Sequence, residues 1–209
     1  MGNIEIKHIV VSQVMTNCML IINKTTREAL VIDPGYEAKR IAEAINKAEC
    51  KPVAILLTHG HFDHVIAVDE VRDEYNIPVY LYEDEEELLG NSILNHSAKY
   101  GMSYQTKADE LVTDNQKLTL AGINIEVIHT AGHTSGCCCY YLPDEAVLIS
   151  GDTLFYGTVG RTDFETSSSV AMRASVKRLL TTLPEDVQVF PGHGDTTTIG
   201  HEKRYNPFA

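Results

Sequence analysis

Thr58-His59-Gly60-His61-Phe62-Asp63-His64 packs three imidazoles and a carboxylate into seven residues, directly after the apolar run Val53-Ala54-Ile55-Leu56-Leu57. Imidazole and carboxylate are the groups from which zinc, iron and manganese take protein ligands. The plainer alternative, a solvated loop rich in histidine, would crowd four titratable groups together with no partner. Site residues of α/β proteins stand at the carboxyl ends of strands, where this segment falls. The spacing therefore predicts a metal site.

Three more strand-like runs end in the same residue types. Residues 123–130 lead into Ala131-Gly132-His133-Thr134-Ser135-Gly136. Ala146-Val147-Leu148-Ile149 leads into Ser150-Gly151-Asp152-Thr153, and Val187-Gln188-Val189-Phe190 into Pro191-Gly192-His193-Gly194-Asp195. Glycine beside each candidate lets the backbone turn sharply and approach an ion. One zinc takes three or four protein ligands. Five histidines and two aspartates suit two divalent ions sharing a bridging carboxylate, the arrangement of two-metal hydrolysis.

The order His-x-His-x-Asp-His, Gly-His, Gly-Asp-Thr, Pro-Gly-His-Gly resembles the metallo-β-lactamase superfamily, from the Asp33-Pro34-Gly35 turn to the Asn206-Pro207-Phe208 tail. Within it, Gly132-His133-Thr134-Ser135-Gly136 and Gly151-Asp152-Thr153-Leu154-Phe155 are similar to the glyoxalase II-like branch of small thioester hydrolases. The resemblance implies a four-layer αββα sandwich with two mixed sheets flanked by helices. It assigns His59, His61 and His133 to a first metal, Asp63, His64 and His193 to a second, and Asp152 to both. Zinc is the expected ion, with iron or manganese as alternatives.

The implied reaction is hydrolysis of a small thioester such as S-lactoylglutathione by a hydroxide shared between the metals. Asp63 would orient that nucleophile or take its proton, and Asp152 would hold the pair of ions together. Glyoxalase II itself carries a further helical domain after the last metal histidine. Here Ala209 comes sixteen positions after His193, so a single domain over residues 1–209 is expected. Gly160-Arg161-Thr162-Asp163 resembles small single-domain members and also the iron-dependent persulfide dioxygenases. Arg161 would either grip a substrate carboxylate in bidentate fashion or pair with Asp163 to brace the loop. The dioxygenase, a lactone or β-lactam hydrolase, and a non-catalytic metal-binding scaffold are the competing readings.

The positioning elements can be read coarsely. Strand-like segments cover residues 6–12, 18–23, 29–32 and 78–82, with short strands alternating with turns over 117–150. Residues 37–48 place Ile41, Ala42 and Ile45 on one helical face. Residues 65–75 read as one helix, and 167–180 as another with Val170, Ala174, Leu179 and Leu180 inward. Periodicity alone gives α/β or α+β. Residues 91–109 are polar with weak periodicity, a candidate substrate flap.

Seventeen basic against twenty-nine acidic side chains give a formal net charge of −12. Nucleic-acid binders present a basic face, so no nucleic-acid partner is expected. The run Glu83-Asp84-Glu85-Glu86-Glu87 reads as the solvated first turns of a helix. No apolar stretch is long enough to span a bilayer, and Met1-Gly2-Asn3-Ile4-Glu5 has no basic-then-apolar leader. These features suit a cytoplasmic protein with no membrane partner. Five cysteines, an odd count, argue against a disulfide framework. Cys137-Cys138-Cys139 falls in a strand, whose neighbours face opposite ways, so the thiols are expected to be buried and inert. His8, His96 and His201 stand alone and read as surface or structural residues. His129 and Asp33 are candidates for orienting a ligand histidine through hydrogen bonds.

Overall fold

The computed structural model describes residues 2–209, so Met1, at the head of the leader reading, lies outside the described residues. The first half of the chain makes one sheet from β1 (Ile4–Val11), β2 (Thr16–Asn23), β3 (Glu28–Ile32), β4 (Lys51–Leu56), β5 (Val79–Tyr82) and β6 (Glu110–Val112), in that spatial order. β1, β2 and β3 are antiparallel neighbours, and β3 to β6 run parallel. Parallel neighbours need a crossover. α1 (Ala38–Ala48) supplies the first, and α2 (Phe62–Val65) with α3 (Val68–Tyr75) the second.

The second half repeats the plan. β7 (Lys117–Leu120), β8 (Ile123–His129), β9 (Cys138–Leu142), β10 (Val147–Gly151), β13 (Gln188–Pro191) and β14 (Thr197–Thr198) form a sheet in the order β14-β13-β10-β9-β8-β7. β11 (Leu154–Phe155) and β12 (Thr158–Val159) pair as a small ribbon beyond β10. α5 (Ser169–Thr182) crosses over between the parallel strands β10 and β13, and α6 (Ile199–Tyr205) follows β14. The short α4 (Glu86–Leu89) follows β5 after the single turn Glu83–Glu85.

Three apolar clusters fix the layers. Met19, Ile21, Leu30, Leu56, Ile125, Tyr140 and Ile149 interdigitate between the two sheets. Ile41 and Ile45 of α1 and Val68 and Val71 of α3 cover the outer face of the first sheet. Met172, Val176, Leu179 and Leu180 of α5 and Ile199 of α6 cover the second. The result is the expected four-layer αββα sandwich. Cys138 packs into the inter-sheet core and Cys139 under α5, so adjacent thiols do face opposite ways.

Three readings are corrected. Val170 is 78% exposed and Ala174 is also exposed; the inward stripe of α5 is Met172, Ser175, Val176, Leu179 and Leu180. That set follows the i, i+3, i+4, i+7, i+8 spacing, which a phase set one residue off misses. The helix expected over 65–75 breaks at Ile66-Ala67, where the Ala67 amide turns away to donate to the Pro34 carbonyl. The acidic run is not wholly solvated: Glu85 is fully buried. Among the described residues no helix is long and apolar enough to cross a membrane.

Candidate metal centre

The expected ligands converge from four loops at one end of both sheets. β4 delivers His59, His61, Asp63 and His64. β8 leads to His133, β10 to Asp152 and β13 to His193. Three groups have one ligand atom each within mutual reach of a single ion: His59, His61 and His133; Asp63, His64 and His193; and His59, His64 and Asp152. The third group ties the first two together.

Distances fit ligands around ions. Tetrahedral nitrogen ligands at about 2.0–2.1 Å from zinc stand about 3.3 Å apart. Nδ1 of His61 lies 2.9 Å from Nε2 of His133, and Nε2 of His64 lies 3.4 Å from Nε2 of His193. Asp152 reaches both groups, with Oδ1 3.5 Å from His64 Nε2 and Oδ2 3.5 Å from His133 Nε2. Asp63 Oδ2 lies 3.2 Å from His193 Nε2. His59 Nε2 and Asp152 Oδ1 are buried with no hydrogen-bond partner. Buried polar atoms are rarely left unmatched, so this donor set fits divalent cations.

Hydrogen bonds behind the imidazoles set their tautomers. A carbonyl or carboxylate only accepts, so the proton sits on Nδ1 of His133, 2.9 Å from the Arg161 carbonyl, and on Nδ1 of His64, 3.0 Å from Asp33 Oδ2. Thr58 donates its hydroxyl to Asp33 Oδ2 at 2.7 Å, leaving its oxygen lone pair for Nδ1–H of His59 at 3.1 Å. In all three rings Nε2 is therefore the nitrogen that faces the centre, with its lone pair directed there in His59 and His133, and in His64 once its second proton is released. Asp33 also accepts the Thr58 amide at 2.8 Å, so the orienting role considered for it is the one it has.

Charge is arranged to match. Burial, reinforced by neighbouring imidazoles, lowers the pKa of His59 and His61 well below the ordinary range and keeps them neutral. Burial works against the Asp63 anion, but His64, His193 and the Thr16 hydroxyl outweigh it and hold that carboxyl well below the usual range. Burial likewise opposes charge on His64, yet Asp63, Asp152 and Asp33 push its pKa up to about 10.

Close backbone packing makes this possible. A Cβ at Gly192 would fall 2.3 Å from Asp152 Oδ1, and one at Gly160 1.9 Å from the Asp152 carbonyl. The His193 loop is further pinned by Asn17, whose side chain donates to the Pro191 and Gly194 carbonyls at 2.9 and 3.0 Å.

A cavity of about 330 Å³ opens onto the centre, walled by Val14, Phe62, Tyr100, Phe155 and Phe164, with His61, Asp63, His133, Asp152 and His193 at its floor. His96, read in sequence as a lone structural histidine, lines this cavity and stacks on His61 with ring centroids 5.1 Å apart. It comes from the irregular 91–109 segment, which also contributes Tyr100. Arg161 grips Asp163 through two bonds of 2.6 and 2.7 Å and lies over Phe164 at 4.3 Å. Its side chain thus braces the loop while bordering the cavity. His129 donates to the Ser135 carbonyl and stacks on Tyr82 at 4.4 Å, so it steadies the loop rather than orienting a ligand. His8 packs against Phe190 and His201 against Tyr156, apart from this cavity.

Fold and centre together define a metal-dependent sandwich enzyme class, and residues 11–193 match the metallo-beta-lactamase superfamily, to which this chain belongs. It is 40% identical over 87% of its length to probable metallo-hydrolase YqgX of Bacillus subtilis, 87% of which is covered. It is 35% identical over 99% of its length to hydroxyacylglutathione hydrolase GloC of Haemophilus influenzae, 97% of which is covered. Among solved structures, BLEG-1 B3 metallo-beta-lactamase matches at TM-score 0.93 and 40% identity, covering 98% of this chain and 99% of that one. A di-iron-bound form of TTHA1623 matches at TM-score 0.85 and 34% identity, covering 97% and 100%.

Proposed function

We propose that the protein is a dinuclear metallohydrolase acting on a small thioester of the S-lactoylglutathione kind. The convergence of seven ligand-type side chains on two adjoining positions under one open cavity carries the reading. Two bound divalent ions would supply a water of lowered pKa and polarise the scissile carbonyl. His59, His61 and His133 would hold one ion, Asp63, His64 and His193 the other, and Asp152 both. Asp63, fixed by the Thr16 hydroxyl at 2.8 Å, would orient the attacking water. Val14, Phe62, Phe155 and Phe164 would exclude bulk water from the acyl group. Tyr100 and His96 make the 91–109 segment the wall against which the substrate closes.

The 35% identity to hydroxyacylglutathione hydrolase GloC is the support for a thioester, and the 40% identity to a B3 metallo-beta-lactamase makes a β-lactam the competing acyl substrate. Zinc is the first choice of ion, and the di-iron relative keeps iron in play. Arg161 is the proposed contact for a substrate carboxylate, at the expense of its bond to Asp163. Five unpaired cysteines suit the reducing cytoplasm as the setting.

A second reading, an iron-dependent persulfide dioxygenase, draws on the Gly160-Arg161-Thr162-Asp163 run. Anaerobic hydrolysis of S-D-lactoylglutathione by zinc-, manganese- and iron-loaded protein tests the choice. Turnover is expected with oxygen excluded. No turnover, combined with oxygen uptake on glutathione persulfide by the iron form, would replace the hydrolase with the dioxygenase.

A further inference from the structure

Glu85 is the odd member of its acidic run. It is fully buried, and its carboxylate meets only neutral donors. Oε2 accepts the Gly60 amide at 2.9 Å. Oε1 accepts the Gly136 amide at 2.9 Å and the Thr134 hydroxyl. Gly60 lies between His59 and His61, while Thr134 and Gly136 follow His133. One carboxylate thus joins the two loops that carry the three imidazoles of the first metal position, and those loops come from different sheets.

Backbone packing around it is built for this contact. A Cβ at Gly136 would fall 2.7 Å from the Glu85 amide nitrogen, and one at Gly60 2.8 Å from Leu88 Cδ2 and 3.2 Å from the Leu89 nitrogen. Both loops are pressed against the segment that carries Glu85. Burying a carboxyl without a cationic partner is costly, and a space-filling role would be met better by an apolar residue. Three donors arriving from two sides demand two acceptor oxygens. Glutamine offers one, and its amide nitrogen would confront an N–H on the other side.

We propose that Glu85 is a positioning residue that fixes the spacing of His59 and His61 against His133, and so sets cation affinity at the first metal position. The proposal rests on the two-metal reading of the centre.

The test is cobalt and zinc titration against a chromophoric chelator, with stoichiometry from metal analysis. Wild type comes first: fewer than two ions per chain there overturns the metal-centre reading and this inference with it. Given two, Glu85→Gln in a His193→Ala background, where the first position remains, is expected to bind on the order of 10- to 100-fold more weakly. In a His133→Ala background, Glu85→Gln is expected to change affinity less than about threefold. Equal losses in both backgrounds, or none in either, overturn the inference. If Glu85→Gln does not fold, Thr134→Val removes one donor with little change in volume. It is expected to weaken the first position alone, and an unchanged or position-independent response overturns the proposal.

Discussion

Asp33 Oδ2 accepts Nδ1–H of His64 at 3.0 Å while the same carboxylate takes both the amide and the hydroxyl of Thr58. One buried side chain in a Pro-Gly turn therefore aims ligand atoms at both metal positions, His64 directly and His59 through Thr58. Asp33→Asn exchanges one acceptor oxygen for a donor. The expected result is on the order of 10- to 100-fold weaker metal binding, read by chelator competition. Binding as tight as wild type would show that the contact does not orient His64.

Gly192 leaves no room for a side chain: its Cβ would sit 2.3 Å from Asp152 Oδ1 and 2.8 Å from His64 Cε1. Gly192→Ala should displace the carboxylate that both positions share, and misplacement by about 1 Å costs on the order of 100-fold in rate. Metal stoichiometry and kcat measured on the same preparation check this. Full occupancy with full rate would refute it.

Asp152→Ala should abolish pair-wise metal binding and turnover together, because its two oxygens address His64 on one side and His133 on the other. A variant that binds one ion and still hydrolyses at the wild-type rate would remove Asp152 from the catalytic assignment.

Cation and proton compete for Nε2 of His64. Burial resists the charge, but three surrounding carboxylates raise the pKa from the ordinary 6.5 to about 10. In the metal-free chain this protonation stabilises fully below 6.5 and is lost as pH rises through about 10. Metal binding runs the other way, since each ion taken by His64 releases the proton. Affinity at the second position should climb about tenfold per pH unit from about pH 7 to about pH 9. A flat profile in a pH-corrected chelator competition would contradict it.

Cys18, Cys137, Cys138 and Cys139 are buried, and burial raises every one of their pKa values. Only Cys50 is partly exposed. Native protein should react with a disulfide reagent at no more than Cys50, with five thiols appearing in denaturant. Rapid native modification of a second thiol, with loss of activity, would overturn the inert assignment.

Strand ends were legible because each apolar run stops at a glycine-flanked His or Asp, and that abrupt change survives without tertiary information. The four layers followed from the same runs. Phase is harder to read: the leucine pair alone does not distinguish a stripe through Met172 and Val176, which α5 buries, from one through Val170 and Ala174, which it exposes. Polar residues that serve the site from a distance were hidden by their surroundings. Glu85 sits among four other acids, His96 in a segment without periodicity, and Asn17 directly after Thr16 at the start of a strand that ends in Asn23. Only the position of Asn17, a polar side chain in the first pleat of a wholly buried strand, offers a local hint.

Each sheet is woven from one contiguous half of the chain, residues 4–112 and 117–198, and the candidate ligands divide between them. Four come from the first half and three from the second. Cations held there would be rivets between two separately threaded fabrics. Their contribution to stability would track free metal concentration logarithmically, and would appear as resistance to peeling the sheets apart rather than to unravelling either one. A chelator should then loosen the seam between the halves before it disturbs the hydrogen bonding within them, an order that hydrogen exchange at β2 and β9 can read.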